Sequence, residues 1–140
     1  MPSKLPLIDT NVIIRYLVED PKLVKPAYKG VFSFFPKIEA GLLAVEMVDL
    51  VVFEVFFVLT RLYRVPRREA AAKLEQLIEF KGIVTRNRSV LRNCLRLLQT
   101  RSLDLVDAFL LAVSQEKGVR GIYSFDSDLA KAGLSLLKIE

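Results

Sequence analysis

Leu7-Ile8-Asp9-Thr10-Asn11-Val12-Ile13-Ile14-Arg15-Tyr16-Leu17 is the stretch that decides the fold. Leu5 to Ile8 reads as a short buried strand ending at Asp9. Val12 to Val18 then reads as a helix, broken by Asp20-Pro21. Three other acids also interrupt apolar sequence. Glu54 divides Leu50-Val51-Val52-Phe53 from Val55-Phe56-Phe57-Val58-Leu59, Asp107 lies in Leu105-Val106-Asp107-Ala108-Phe109-Leu110-Leu111, and Asp126 follows Gly121-Ile122-Tyr123-Ser124-Phe125. An ionised carboxylate in apolar surroundings costs several kcal/mol unless something compensates it. If the fold gathers all four, a hard divalent cation is the natural compensation.

Working outward, helical and extended segments alternate. A second helix is expected over Leu23 to Phe35, with Pro26 near its first turn. Leu42 to Val45 reads as a strand, and Asp49 as the N-cap of a helix from Leu50 to Tyr63. Pro66 opens a helix over Arg67 to Phe80, with Ala70, Ala71, Leu74, Leu77 and Ile78 as its apolar stripe. Gly82 ends it, and Ile83-Val84 is a brief strand. Ser89 to Leu98 turns Val90, Leu91, Cys94, Leu95 and Leu98 inward. A helix over Asp104 to Gln115, a strand at Gly121 to Ser124, a short helix at Ser127 to Ala132 and a strand at Leu134 to Ile139 complete the chain. Such alternation predicts an α/β fold with a parallel sheet covered on both faces. Sites in such sheets form beyond the carboxyl ends of strands, where Asp9 and Asp126 lie. No repeat, linker or low-complexity segment divides the sequence, so one domain over residues 1–140 is expected.

Composition removes several chemistries. The chain has no histidine and a single cysteine, Cys94. That excludes Ser-His-Asp, Cys-His and paired-His catalysis, an internal disulfide and a Cys/His zinc site. No glycine-rich phosphate loop is present. The lone cysteine fits a reducing cytoplasm. Met1-Pro2-Ser3-Lys4-Leu5 lacks the apolar core of a signal peptide. The hydrophobic fraction is 52% and the mean hydropathy +0.34. Yet no uncharged apolar run approaches the roughly 20 residues of a membrane span, so the excess reads as core and oligomer interface. From Arg61 to Arg101, eleven Lys/Arg stand against three acids, +8 net within a chain of +5. A basic middle beside acidic ends suits a polyanion held over a metal site; the plain alternative is a solvated helical face.

Each acid also has a structural reading. Asp9 can cap the following helix, Glu54 can pair with an arginine, Asp104 can be an N-cap, and Asp128 can answer a helix dipole. Together the four are harder to dismiss, since four separate compensations would be needed.

With those residues in view, the chain resembles the PIN-domain family and, within it, the VapC-type toxins. Four motifs in order carry the resemblance: Leu7 to Leu17, Val52 to Leu59, Leu103 to Ala112, and Tyr123 to Leu129. The resemblance implies a three-layer α/β/α sandwich around a short, mostly parallel sheet, and Mg²⁺- or Mn²⁺-dependent cleavage of RNA. It places Asp9, Glu54, Asp107 and Asp126 on the acidic metal-binding and catalytic positions. Asn11, Asp104, Ser124 and Asp128 fall on supporting positions, and Arg15, Arg61 and Arg64 are candidates for holding phosphates. It further implies a homodimer, with no membrane, inhibited by an antitoxin protein whose segment enters the acidic groove. The apolar helices around Leu23 to Phe35 and Leu50 to Tyr63 are candidate dimer surfaces. Two departures stand out. Met47-Val48-Asp49-Leu50 replaces a hydroxyl residue common before the middle acid, and Phe56 or Phe57 stands where Trp or Tyr is frequent.

One other function remains, and two more fail on a missing residue. A catalytically silent PIN-fold module binding nucleic acid or protein would keep the fold without needing the acids. A haloacid-dehalogenase-type phosphatase would require a second Asp at the position of Asn11. A receiver domain would require a lysine at a strand end.

Overall fold

A computed structural model describes residues 4–140; the leader reading of Met1-Pro2-Ser3 lies outside the described residues. Its backbone divides into two compact units, one ending at Arg86 and one running from Asn87 to Glu140.

In the first unit, helix α1 (Thr10–Val18) is followed by a 3-10 turn at Pro26–Tyr28 and by α2 (Val31–Glu39). The single helix expected over Leu23 to Phe35 is therefore two pieces. Pro26 suits the tight turn, Lys29-Gly30 separates it from α2, and α2 runs on through Pro36 to Glu39. Strand β1 (Val45–Glu46), helices α3 (Asp49–Arg61) and α4 (Arg67–Ile78), and strand β2 (Ile83–Val84) follow. Asp49 is the first helical residue of α3 and not its cap, a position taken by Val48.

Strands β1 and β2 pair in parallel, Val45 opposite Ile83. The strand expected at Leu5 to Ile8 is reduced to one parallel bridge from Leu7 to Glu46. It is fastened by the Ile8 amide donating to the Glu46 carbonyl at 3.1 Å and the Glu46 amide donating to Pro6 at 2.8 Å. That bridge delivers the chain directly to Asp9 at the start of α1. Gly82, read from sequence as a helix stop, has a more exacting task. Its carbonyl accepts from Val45 and its amide donates to Ile38, each at 2.8 Å. A Cβ there would stand 1.9 Å from the Leu43 carbonyl oxygen, so only glycine lets these backbones meet.

The expected stripe of α4 is buried throughout, and Ile13, Phe35, Ile38, Val52, Val55, Phe56 and Leu59 are likewise buried side chains of this unit. Burying each large side chain contributes roughly 1.5–3 kcal/mol. Tyr16 stacks on Phe35 at 4.2 Å, and Phe34 meets Phe35 edge-on at 5.4 Å.

The second unit contains α5 (Arg88–Thr100), α6 (Leu105–Lys117), β3 (Gly121–Ile122), α7 (Ser127–Lys131) and β4 (Ser135–Leu136). Val90, Leu91, Cys94, Leu95 and Leu98 of α5 are all buried, as their spacing requires. Burial pushes the Cys94 thiol up to about 12, which keeps it unreactive. Ser89 donates to Glu116 at 3.1 Å, tying α5 to α6. Strands β3 and β4 pair in parallel, Gly121 opposite Ser135.

Every strand pairing among the described residues is parallel, as the alternation predicted. The strands are shorter than expected, two residues each. No helix among the described residues is long and apolar enough to cross a membrane.

Candidate functional site

Asp9 leaves the Leu7 bridge in extended backbone and becomes the N-cap of α1, its Oδ1 accepting from the Thr10 amide at 2.7 Å. The capping reading of Asp9 is thus correct, but a cap engages one oxygen and a carboxylate has two. Asp9 and Glu54 line one groove of about 400 Å³, together with Thr10, Asn11, Arg15 and Tyr63. Two acids of the expected four, distant in sequence, therefore line one groove.

Both acids are exposed, against the expectation of carboxylates set in apolar surroundings. Helix geometry explains the difference. Val52, Val55, Phe56 and Leu59 form the buried stripe of α3, and Glu54 projects from another side, as does Leu50 at 76% exposure. Nor does Glu54 need an arginine partner, because it is solvated. The buried polar atom in this groove is instead the hydroxyl of Thr10, which has no hydrogen-bond partner.

Arg15 is fixed on two sides. Its Nη1 meets Glu19 Oε1 at 2.7 Å, and its guanidinium lies 4.0 Å from the centre of the Tyr28 ring. The hydrogen bond to Glu19 raises its pKa further, with Tyr28 and Tyr63 adding to it, so it is a permanent cation. Arg61 lies over the Phe57 ring at 4.5 Å. Arg64 takes a left-handed backbone, φ 55°, in the bend between α3 and α4. Neither lines the groove with Asp9 and Glu54. Tyr63, at that same bend, does line it and was missed; nothing in the sequence marks a residue beyond the end of α3 as returning to it.

The second unit holds the other acids. Asp104 caps α6, its Oδ1 accepting from the Asp107 amide at 2.8 Å. Asp126 caps α7, accepting from the Asp128 amide at 2.9 Å, while its own amide donates to Ser124 Oγ at 3.0 Å. Asp107 is half-buried, and its pKa is raised, first by burial and then by the charges of Asp104, Asp126 and Asp128. Asp128 is exposed and lies 3.8 Å from Lys131. Burial first, and then like charges, thus hinder the ionisation of Asp107.

Among the described residues no group of three or more Asp, Glu, His or Cys stands close enough to hold a metal ion. The donor chemistry is nonetheless suited to one. The side chains at issue offer carboxylate oxygens, the second oxygens of Asp9, Asp104 and Asp126 are left by their caps, and Asp107 is destabilised in its charged form. Hard divalent cations take such ligands and relieve such repulsion.

A mixed α/β chain with parallel strands and acids at helix starts is the class of protein so defined. The family model for the PIN domain matches residues 7–134, and the chain belongs to that family. The match spans all four motifs. A search of curated proteins gives no match. Among solved structures the chain is similar to the Mycobacterium tuberculosis toxin VapC20, described as cleaving the sarcin-ricin loop. The likeness has 20% identity and a TM-score of 0.36, and covers 95% of this chain and 98% of that one.

Proposed function

We propose that this protein is a metal-dependent endoribonuclease, the toxin of a toxin–antitoxin pair, acting in the cytoplasm. The observation that carries the reading is the groove that joins Asp9 to Glu54 beside a fixed Arg15, in a chain of the PIN-domain family. We further propose that residues 1–140 act as one PIN-like domain, which the family match across Arg86 and Asn87 supports.

Asp9, Glu54, Asp107 and Asp126 would hold Mg²⁺ or Mn²⁺, which lowers the pKa of water and neutralises phosphate charge. Asn11 orients the Asp9 end of the set, and Asp104, Ser124 and Asp128 do the same for Asp107 and Asp126. Asp107 takes a proton from the attacking water. Asp107 is half-buried where Asp9, Glu54 and Asp126 are exposed, which favours it for this role. Arg15 holds a phosphate through guanidinium N–H groups not engaged by Glu19, while Arg61 and Arg64 hold flanking phosphates. In-line attack leaves a 5′-phosphate and a 3′-hydroxyl.

For a homodimer, the candidate surfaces around Leu23 to Phe35 and Leu50 to Tyr63 contribute unequally, since Phe35 is buried and Phe34 meets it edge-on. Leu23, Leu50 and Leu62, each more than 70% exposed, are the better contacts. An antitoxin segment would enter the acidic groove and compete with RNA.

The deciding experiment is RNA cleavage with and without Mn²⁺, comparing wild type with Asp9→Asn. Cleavage that needs Mn²⁺ and vanishes in the folded variant is expected. Equal activity of the two proteins would sink the assignment. A catalytically silent binding module is the second reading, favoured by the lack of a metal-holding group among the described residues. It predicts RNA or protein binding with no cleavage under any metal.

A further inference from the structure

A second cavity lies beside the acidic groove. Its volume is about 540 Å³, inside the range of roughly 300–1,000 Å³ typical of small-molecule sites. Asn11, Arg15, Tyr28, Gly30, Val31 and Phe34 line it. Asn11 and Arg15 also line the groove of Asp9 and Glu54, so the two spaces share a wall. We propose that this cavity receives one nucleobase of a single-stranded RNA whose adjoining phosphate lies on Arg15 beside Asp9 and Glu54. The proposal rests on the ribonuclease reading and adds to it a determinant of substrate choice.

Three features select a base over another occupant. First, the walls are aromatic and fixed. Tyr28 is held under the Arg15 guanidinium at 4.0 Å, and Phe34 is braced edge-on against the buried Phe35. Every base has a π face to lay on such walls, and stacking is the sequence-tolerant part of single-strand binding. Second, Asn11 presents an amide, which both donates and accepts hydrogen bonds, as a base edge does. Third, Arg15 is the one lining residue with a formal charge, and it is a cation. Glu19 engages one nitrogen of that guanidinium, and the N–H groups left over are donors that a phosphate oxygen accepts. The shared wall completes the fit, since a nucleotide carries its base and phosphate on one sugar.

The chain contains no tryptophan, so Tyr28→Trp places a single indole in the cavity and keeps an aromatic wall. Gly30 offers a plug. Its backbone is ordinary right-handed helical, φ −60°, and a Cβ there meets nothing within 4 Å, so Gly30→Leu intrudes on the cavity without strain. Both variants are made with Asp9→Asn and titrated without divalent metal. The probes are a short single-stranded RNA and the same strand with abasic sites.

Saturable quenching of the indole by the intact strand is expected. The abasic strand should fail to quench, and Gly30→Leu should weaken intact-strand binding about tenfold, the scale of one stacked base. Quenching by both strands alike, or quenching that Gly30→Leu leaves unchanged, overturns the proposal; so does an indole that only an apolar peptide quenches. The two readings fail separately. A protein that cleaves no RNA but shows base-dependent quenching keeps the cavity and loses the nuclease. One that cleaves RNA with no quenching keeps the nuclease and loses the cavity.

Discussion

The acids of the first unit and those of the second are the same chemical group in opposite settings. Asp9 and Glu54 share their groove with a permanent cation, Arg15, and an aromatic ring, Tyr63. Asp107 faces Asp104, Asp126 and Asp128, and its charge is resisted by all three. The first setting places a guanidinium beside its two acids, with N–H groups that Glu19 leaves free for a phosphate, whereas the charges that act on Asp107 are all acids.

The sharpest way to break this contrast is Asp107→Asn. Removing the proposed general base should cost about 10²–10⁴ in cleavage rate, measured by single-turnover assay. Stability should move the other way. The unfolded chain releases the Asp107 proton near the ordinary value of 3.8, and the folded chain releases it higher. Between those two values the unfolded state binds fewer protons, so metal-free stability falls as pH rises through the interval and is level above it. Asp107→Asn should flatten that slope and raise the metal-free melting temperature at neutral pH. A variant no more stable than wild type would show that the crowding is without consequence.

Mn²⁺ tests the same contrast at intermediate size. Saturation to about 100 times Kd should stabilise the protein by about 2.7 kcal/mol. Asp107→Asn should abolish most of that shift and Arg15→Gln little of it. Equal loss in both would mean that the two settings are not distinct. The smallest effect belongs to Arg15→Gln itself. RNA affinity should fall modestly, and the slope of log affinity against log salt should decrease by about one. An unchanged slope would remove Arg15 from the phosphate contacts.

Much of this fold is legible in the sequence wherever one periodic stripe meets one core. The buried stripes of α4 and α5 are as expected, though their ends shift by one or two residues, because Ala70 to Ile78 and Val90 to Leu98 repeat at helical spacing among polar neighbours. α3 misleads because nearly every position is apolar. Periodicity then cannot tell the buried side of Val52, Val55 and Phe56 from the exposed side of Leu50, and Glu54 is misread as buried. Strand lengths are also hidden, since an apolar run such as Leu5 to Ile8 does not record how many of its amides find partners. The candidate acids themselves were legible, because each stands out in an apolar run. The groove was not, since Tyr63 reaches it through a backbone bend and Thr10 joins it with a buried hydroxyl.

Three of the acids also bear on how silenced forms of the protein should be made. Asp9, Asp104 and Asp126 each close the first turn of a helix through a single side-chain oxygen. Alanine at any of them would loosen that turn by about 1 kcal/mol, and lost activity would be confounded with lost structure. Asparagine retains the accepting oxygen and removes only the charge. The same arithmetic applies to natural drift: a lineage that discards the chemistry can do so through Asn at almost no structural cost, so inactive descendants should carry amides at these three positions.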